Sequence, residues 1–158
     1  MNLRRWLAYW ATLTGFLMLF GCGGCGCGGG SGGKKTLSIA KRLERASRPS
    51  DFLAIAKDQL AGGDTPGAEE TLTKAVTSCE IINDPAEKAE LYAKCAEMQH
   101  ETGLRKPARE TLKKAVEAAK KIEDVDVKAR RLGAIGRAQA NTKEFDVAAA
   151  TLKEAEAL

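Results

Sequence analysis

The segments ETLTKAV at 70–76, ETLKKAV at 110–116 and ATLKEAE at 150–156 recur at a spacing of 40 residues without a gap. A chain that repeats itself this way folds as copies of one supersecondary unit, each too small to bury its apolar face alone. Other columns keep the register: Ala68, Ala108 and Ala148; Leu72, Leu112 and Leu152; Ala75, Ala115 and Ala155. Upstream run Phe52, Tyr92 and Leu132, then Ile55, Cys95 and Ile135, then Ala56, Ala96 and Gly136. Each unit reads as two helices. In the second, Asp84 suits a cap and Pro85 a first turn. Ala89, Tyr92, Cys95, Ala96 and Met98 then follow helical spacing as far as a stop at Gly103. Pro107 opens the next helix, whose stripe of Ala108, Leu112, Ala115, Val116 and Ala119 ends before the EDVD break at 123–126. The expected fold class is all-α, with small residues where helices cross closely.

These columns resemble the tetratricopeptide repeat: a large residue, a large–small pair, a glycine at the turn, then alanine, a large residue and alanine along the second helix. Tyr92, Cys95, Ala96, Gly103, Ala108, Leu112 and Ala115 fit it without insertion, as do Leu132, Ile135, Gly136, Phe145, Ala148, Leu152 and Ala155. The resemblance implies a right-handed α-solenoid over 49–158, with units at about 45–84, 85–124 and 125–158 and a period longer than the common form of about 34 residues. It also implies a protein or peptide partner on the concave face of the first helices. That face would carry Lys57, Glu90, Glu97, Arg130 and Arg137, with His100, Glu101 and Asn141 at its rim. Neighbouring rows of opposite sign suit a polar, extended peptide better than a nucleic acid.

Ahead of the repeats, Arg4 and Arg5 precede an apolar run, WLAYWATLTGFLMLF, about 22 Å long as a helix and short of a hydrocarbon core about 30 Å thick. Leu19, Phe20, Gly21 and Cys22 resemble the bacterial lipoprotein lipobox. The resemblance implies a signal peptide at 1–21, cleavage before Cys22, and acylation of its thiol and new amino terminus. Two or more acyl chains anchor a protein stably where one does not. An uncleaved anchor is the alternative, and Lys34 and Lys35 after the run would then hold the body in the cytoplasm. The linker at 22–35 is nearly all Gly, Ser and Cys, a composition that cannot bury enough surface to fold, with an end-to-end distance of about 19 Å.

Charge places no nucleic acid on this chain. Of 25 Lys and Arg against 21 Asp and Glu, Arg4 and Arg5 would leave with the leader. The excess is confined to residues 36–48 and the two lysines before them. That stretch reads as a basic amphipathic helix with Leu37, Ala40, Leu43 and Ala46 on the side that covers the first unit. Nothing comparable follows Leu158, so the last helix is expected to leave an apolar flank open, a route to a homodimer.

Enzyme chemistry has little to work with, since the chain holds one histidine. Glu97 and His100, three apart, match a di-iron bundle element, yet that cage needs two such motifs and two further carboxylates, which only a homodimer could supply. The reading is therefore of a non-enzymatic chain with no cofactor and no metal, the metal-dependent dimer being the remote alternative. Cys79 and Cys95 are expected to be buried small hydrophobes and unbridged. A hairpin turning near Asp84 sets Cys79 opposite about residue 89, leaving Cys95 roughly 9 Å further along, beyond the reach of about 7 Å between bridged Cα atoms.

Overall fold

The computed structural model describes residues 31–158. The leader at 1–21, the lipidation position Cys22 and the linker as far as Gly30 lie outside the described residues. Among the described residues there are seven helices and no strand: α1 Ser31–Arg45, α2 Pro49–Ala61, α3 Thr65–Cys79, α4 Pro85–Glu101, α5 Arg105–Lys120, α6 Val125–Asn141 and α7 Phe145–Glu156. None of these helices is long and apolar enough to cross a membrane.

The helices pair as hairpins, α2 with α3, α4 with α5 and α6 with α7. The first helix of each pair also touches the first helix of the next, while α3 packs on α4 and α5 on α6. The core includes the columns read from sequence: Ala56, Ala68, Leu72, Ala75, Ala96, Ala108, Leu112, Ala115 and Leu132 have no exposure at all. Small residues let the paired backbones close up. At Gly136 the approach is close, since an added Cβ would stand 2.7 Å from Leu152 Cγ.

One turn geometry serves all three hairpins. The backbone N–H of Asp64, Leu104 and Glu144 donates to the carbonyl of Gln59, Gln99 and Gln139 at 2.9, 2.8 and 2.9 Å. The residue before each, Gly63, Gly103 and Lys143, donates to Leu60, His100 and Ala140 at 3.0, 2.9 and 3.0 Å. This is the Schellman closure, which needs a left-handed residue at its centre. Gly63 and Gly103 take it at φ 80° and 88°, and Lys143 takes it at 66° with a Cβ in place. Helices α3, α4 and α6 start from side-chain caps: Asp64 accepts from Gly67 N–H at 3.0 Å, Asp84 from Ala86 and Glu87 N–H at 3.1 Å each, and Asp124 from Val127 N–H at 2.9 Å.

Three sequence expectations need correction. Helix α1 begins at Ser31, inside the stretch assigned to the linker, although Gly32 and Gly33 each weaken its first turn by about 1 kcal/mol relative to alanine. Its half-buried side carries Ile39 and Leu43, with Ala46 just after its end, whereas Ala40 is exposed; Arg42 on the same helix pairs with Asp58 of α2. Helix α5 starts at Arg105, so Pro107 stands in its first turn rather than opening it. Proline is tolerated there because the first helical N–H groups have no partner in any case.

The left-handed turn yields a paired prediction. Lys143→Gly should raise stability by up to about 1 kcal/mol, the relief at φ > 0 outweighing the added freedom of the unfolded chain, and Gly103→Ala should lower it by about 1 kcal/mol. Urea unfolding midpoints of the two variants should move in opposite directions.

Candidate functional site

Two of the grooves on the described surface bear on function. The smaller, about 210 Å³, runs between α4 and α6. Its floor is Ala89, Ala93, Ala134 and Ile135, and its rim is Glu90, Lys94, Glu97 and Arg131. The floor follows from the fold, because small residues at the α4–α6 contact bring two first helices side by side. The rim follows from helical spacing, Glu90, Lys94 and Glu97 standing one turn apart on α4.

Glu90 is the electrostatic centre of this groove. Lys94 Nζ donates to its Oε1 at 2.6 Å, and Arg131 Nη1 lies 2.7 Å from Oε2, so one carboxylate joins a neighbour on its own helix to a partner on the next. The Lys94 hydrogen bond, and then the charges of Lys94 and Arg131, hold the Glu90 carboxyl below its usual range against the opposing effect of burial. Glu97 goes the other way. Burial, and then repulsion from Glu101, raise its carboxyl, with Lys94 and Arg137 offsetting part of the effect.

Of the residues proposed from sequence, the structure brings Glu90 and Glu97 into the groove, with Glu101 and Arg137 close enough to act on Glu97. Arg130 does not line it. Its Nε donates to the Asp126 carbonyl at 3.2 Å, and Arg131 takes the inward position. On the α4–α6 pair Glu90 meets Arg131, one residue beyond the 40-residue interval. Lys57 is exposed on α2 and Asn141 is exposed at the end of α6. His100 is half-buried with its Nδ1 lacking a hydrogen-bond partner. No group of three or more His, Cys, Asp or Glu side chains that could hold a metal occurs among the described residues.

The larger groove, about 420 Å³, was not anticipated. It lies between the α3–α4 link and α5, and includes Glu80, Lys88, Tyr92, Lys114 and Lys121 in its lining. Lys114 Nζ bonds Glu80 Oε1 at 2.8 Å and sits 6.0 Å from the Tyr92 ring centroid. Burial pushes the Tyr92 phenol up to about 12. A second feature missed from sequence is the column Gln59, Gln99 and Gln139, each at least nine-tenths buried with an Oε1 that accepts from no protein donor. Recurrence of glutamine at the 40-residue interval was the available signal. In comparisons with protein-family models, curated proteins and solved structures, nothing matches the chain.

The opposed shifts in the small groove set a pH test. Because the folded-state pKa of Glu97 is raised, ionising it opposes folding once the pH passes the ordinary carboxylate range. Glu97→Gln should therefore stabilise the chain at pH 7, with the gain shrinking to nothing as the pH falls below about 4. Urea midpoints across that range read the effect; equal midpoints for both chains at pH 7 would contradict it.

Proposed function

We propose that this chain is a membrane-tethered protein-interaction scaffold of the bacterial cell envelope, with a right-handed tetratricopeptide-like solenoid as its body. Support for a 40-residue solenoid comes from helix starts at Thr65, Arg105 and Phe145, and from α4 and α6, both of 17 residues, starting at Pro85 and Val125. Its three turns also share one hydrogen-bond pattern. Support for the tether is the Leu19-Phe20-Gly21-Cys22 stretch after an apolar run. A cytoplasm-facing, uncleaved anchor is the second reading, favoured by Lys34 and Lys35.

The observation that carries the binding reading is the α4–α6 groove, an apolar floor of alanine and isoleucine between Glu90, Lys94 and Glu97 of α4 and Arg131 of α6. An extended peptide with small side chains over the floor and charges of both signs would exchange the Glu90–Arg131 pair for contacts of its own. Self-association belongs to the same proposal. On α7, Phe145 is 65% and Val147 48% exposed, and Leu152 is half-open although Leu72 and Leu112 in its column are sealed.

Crosslinking in intact cells tests the groove. Ala134→Trp, which fills the floor, should cut partner capture at least tenfold, the effect of about 1.4 kcal/mol, with the helical circular dichroism unchanged. Undiminished capture would count against the groove. In the same cells, adducts between copies should disappear with Phe145→Asp if α7 is the self-association face. The tether has its own readout: palmitate label should be incorporated by the parent chain and lost in Cys22→Ser. Label retained in that variant, or an uncut leader, would transfer the argument to the cytoplasm-facing anchor.

A further inference from the structure

Helix α1 holds five basic residues against one acidic residue, and with Arg48 just beyond its end the exposed cations fall into two sets. Arg42 pairs with Asp58 of α2, and Arg48 pairs with Asp51 of α2 at 3.3 Å. Lys41 and Arg45 are exposed and pair with no carboxylate among the described residues. The chain offers none upstream either, since its first acidic residue is Glu44.

Helical spacing sorts the two sets by face. Lys41 and Arg45 stand one turn apart in a single row, and position 34, also a lysine, falls in that row two turns earlier. Ser38 in the same row is small and exposed. Leu43, two residues from both Lys41 and Arg45, lies on the opposite side of the helix. It is half-buried, as is Ile39, and α1 packs on α2. One side of α1 therefore rests on the body while a row of unpaired cations points away from it. The rest of the body does not extend this surface, since residues 49–158 hold 17 basic against 20 acidic residues. A duplex nucleic acid, which needs a broad basic footprint, is poorly served by a row of this size.

We propose that the Lys41–Arg45 row docks α1 on the surface of an anionic phospholipid bilayer. The inference rests on the tether of the proposed function, in its cleaved or its uncleaved form, since either fixes the start of the linker at a bilayer. Helix α1 begins at Ser31, nine residues after Cys22, a stretch that spans at most about 32 Å. The potential of an anionic leaflet acts over about a Debye length, some 8 Å at physiological salt, so the tether is what brings the row into range. Each basic residue that reaches the surface then strengthens binding by about fivefold. Docking holds the body to the bilayer through its first hairpin as well as through its anchor. The α4–α6 groove takes no part in this contact.

The test reconstitutes the full chain in vesicles of phosphatidylcholine alone, or of phosphatidylcholine and phosphatidylglycerol two to one, and follows backbone amide hydrogen exchange by mass spectrometry. Exchange across α1 should be at least about fivefold slower on the anionic vesicles than on the neutral ones, with α4 exchanging alike on both. The difference should vanish at about 0.5 M NaCl and in the double variant Lys41→Glu, Arg45→Glu, and survive in Lys41→Arg, Arg45→Lys. Equal exchange on the two vesicles, or slowing that persists in salt or after charge reversal, would overturn the proposal. So would slowing by an added DNA duplex and not by the anionic vesicles, which would assign the row to nucleic acid. Flotation with the neutral vesicles reads the tether separately. A chain that floats only with anionic vesicles has lost the tether and kept the docking by charge, and one that floats with neither has lost both.

Discussion

Everything in this fold hangs on how closely two helices can lie. Alanine or glycine stands at 56, 96 and 136 and leucine at 72, 112 and 152. At Gly136 even a methyl group would run into Leu152. With little aromatic mass in the body, burial must come from many small contacts at short range, and dispersion falls off steeply with separation. The turns serve that requirement. Each Schellman closure reverses the chain in three residues, so the second helix of a hairpin is delivered directly onto the first.

The architecture was readable from sequence to the extent that side-chain periodicity determines it. Asp84 as a cap, Gly103 as a stop and the buried columns follow from local rules about orphan N–H groups, φ > 0 and apolar spacing. What local rules do not contain is the rotation and offset between neighbouring helices. Arg131 rather than Arg130 lines the α4–α6 groove, a difference of a single helical step, while Cys79 and Cys95 are buried and unbridged as their spacing implies. The Gln59 column escaped notice because glutamine is not expected inside, and a repeat makes it legible only when polar columns are weighed alongside apolar ones. Ala40 is turned outward, while Arg42 on the same helix reaches Asp58 of α2.

Electrostatics divides the surface into two regimes. Along the α4–α6 groove, Glu90 is satisfied from both sides while Glu97 is crowded by Glu101, so neighbouring carboxylates one or two turns apart are pushed in opposite directions. At the α3–α4 link, Lys114 lowers Glu80 and stands over Tyr92, coupling a charge pair to the buried phenol beneath it. Exposed pairs of this kind contribute little to stability individually. Their effect is on which groups are free to meet a partner.

Similar apolar columns in the three hairpins carry a hazard, because a seam that accepts one could accept another out of order. The bridging ion pairs are not copies of one another: Arg42 reaches Asp58, Arg131 reaches Glu90, Arg109 reaches the largely covered Glu144, and where Lys114 reaches Glu80, the stations forty residues on carry the reversed pair, Lys120 and Glu154. Such unlike contacts act as addresses, disfavouring shuffled assemblies by like-charge encounter more than they strengthen the correct one. A protein whose packing code is degenerate thus keeps its order of units in its charges.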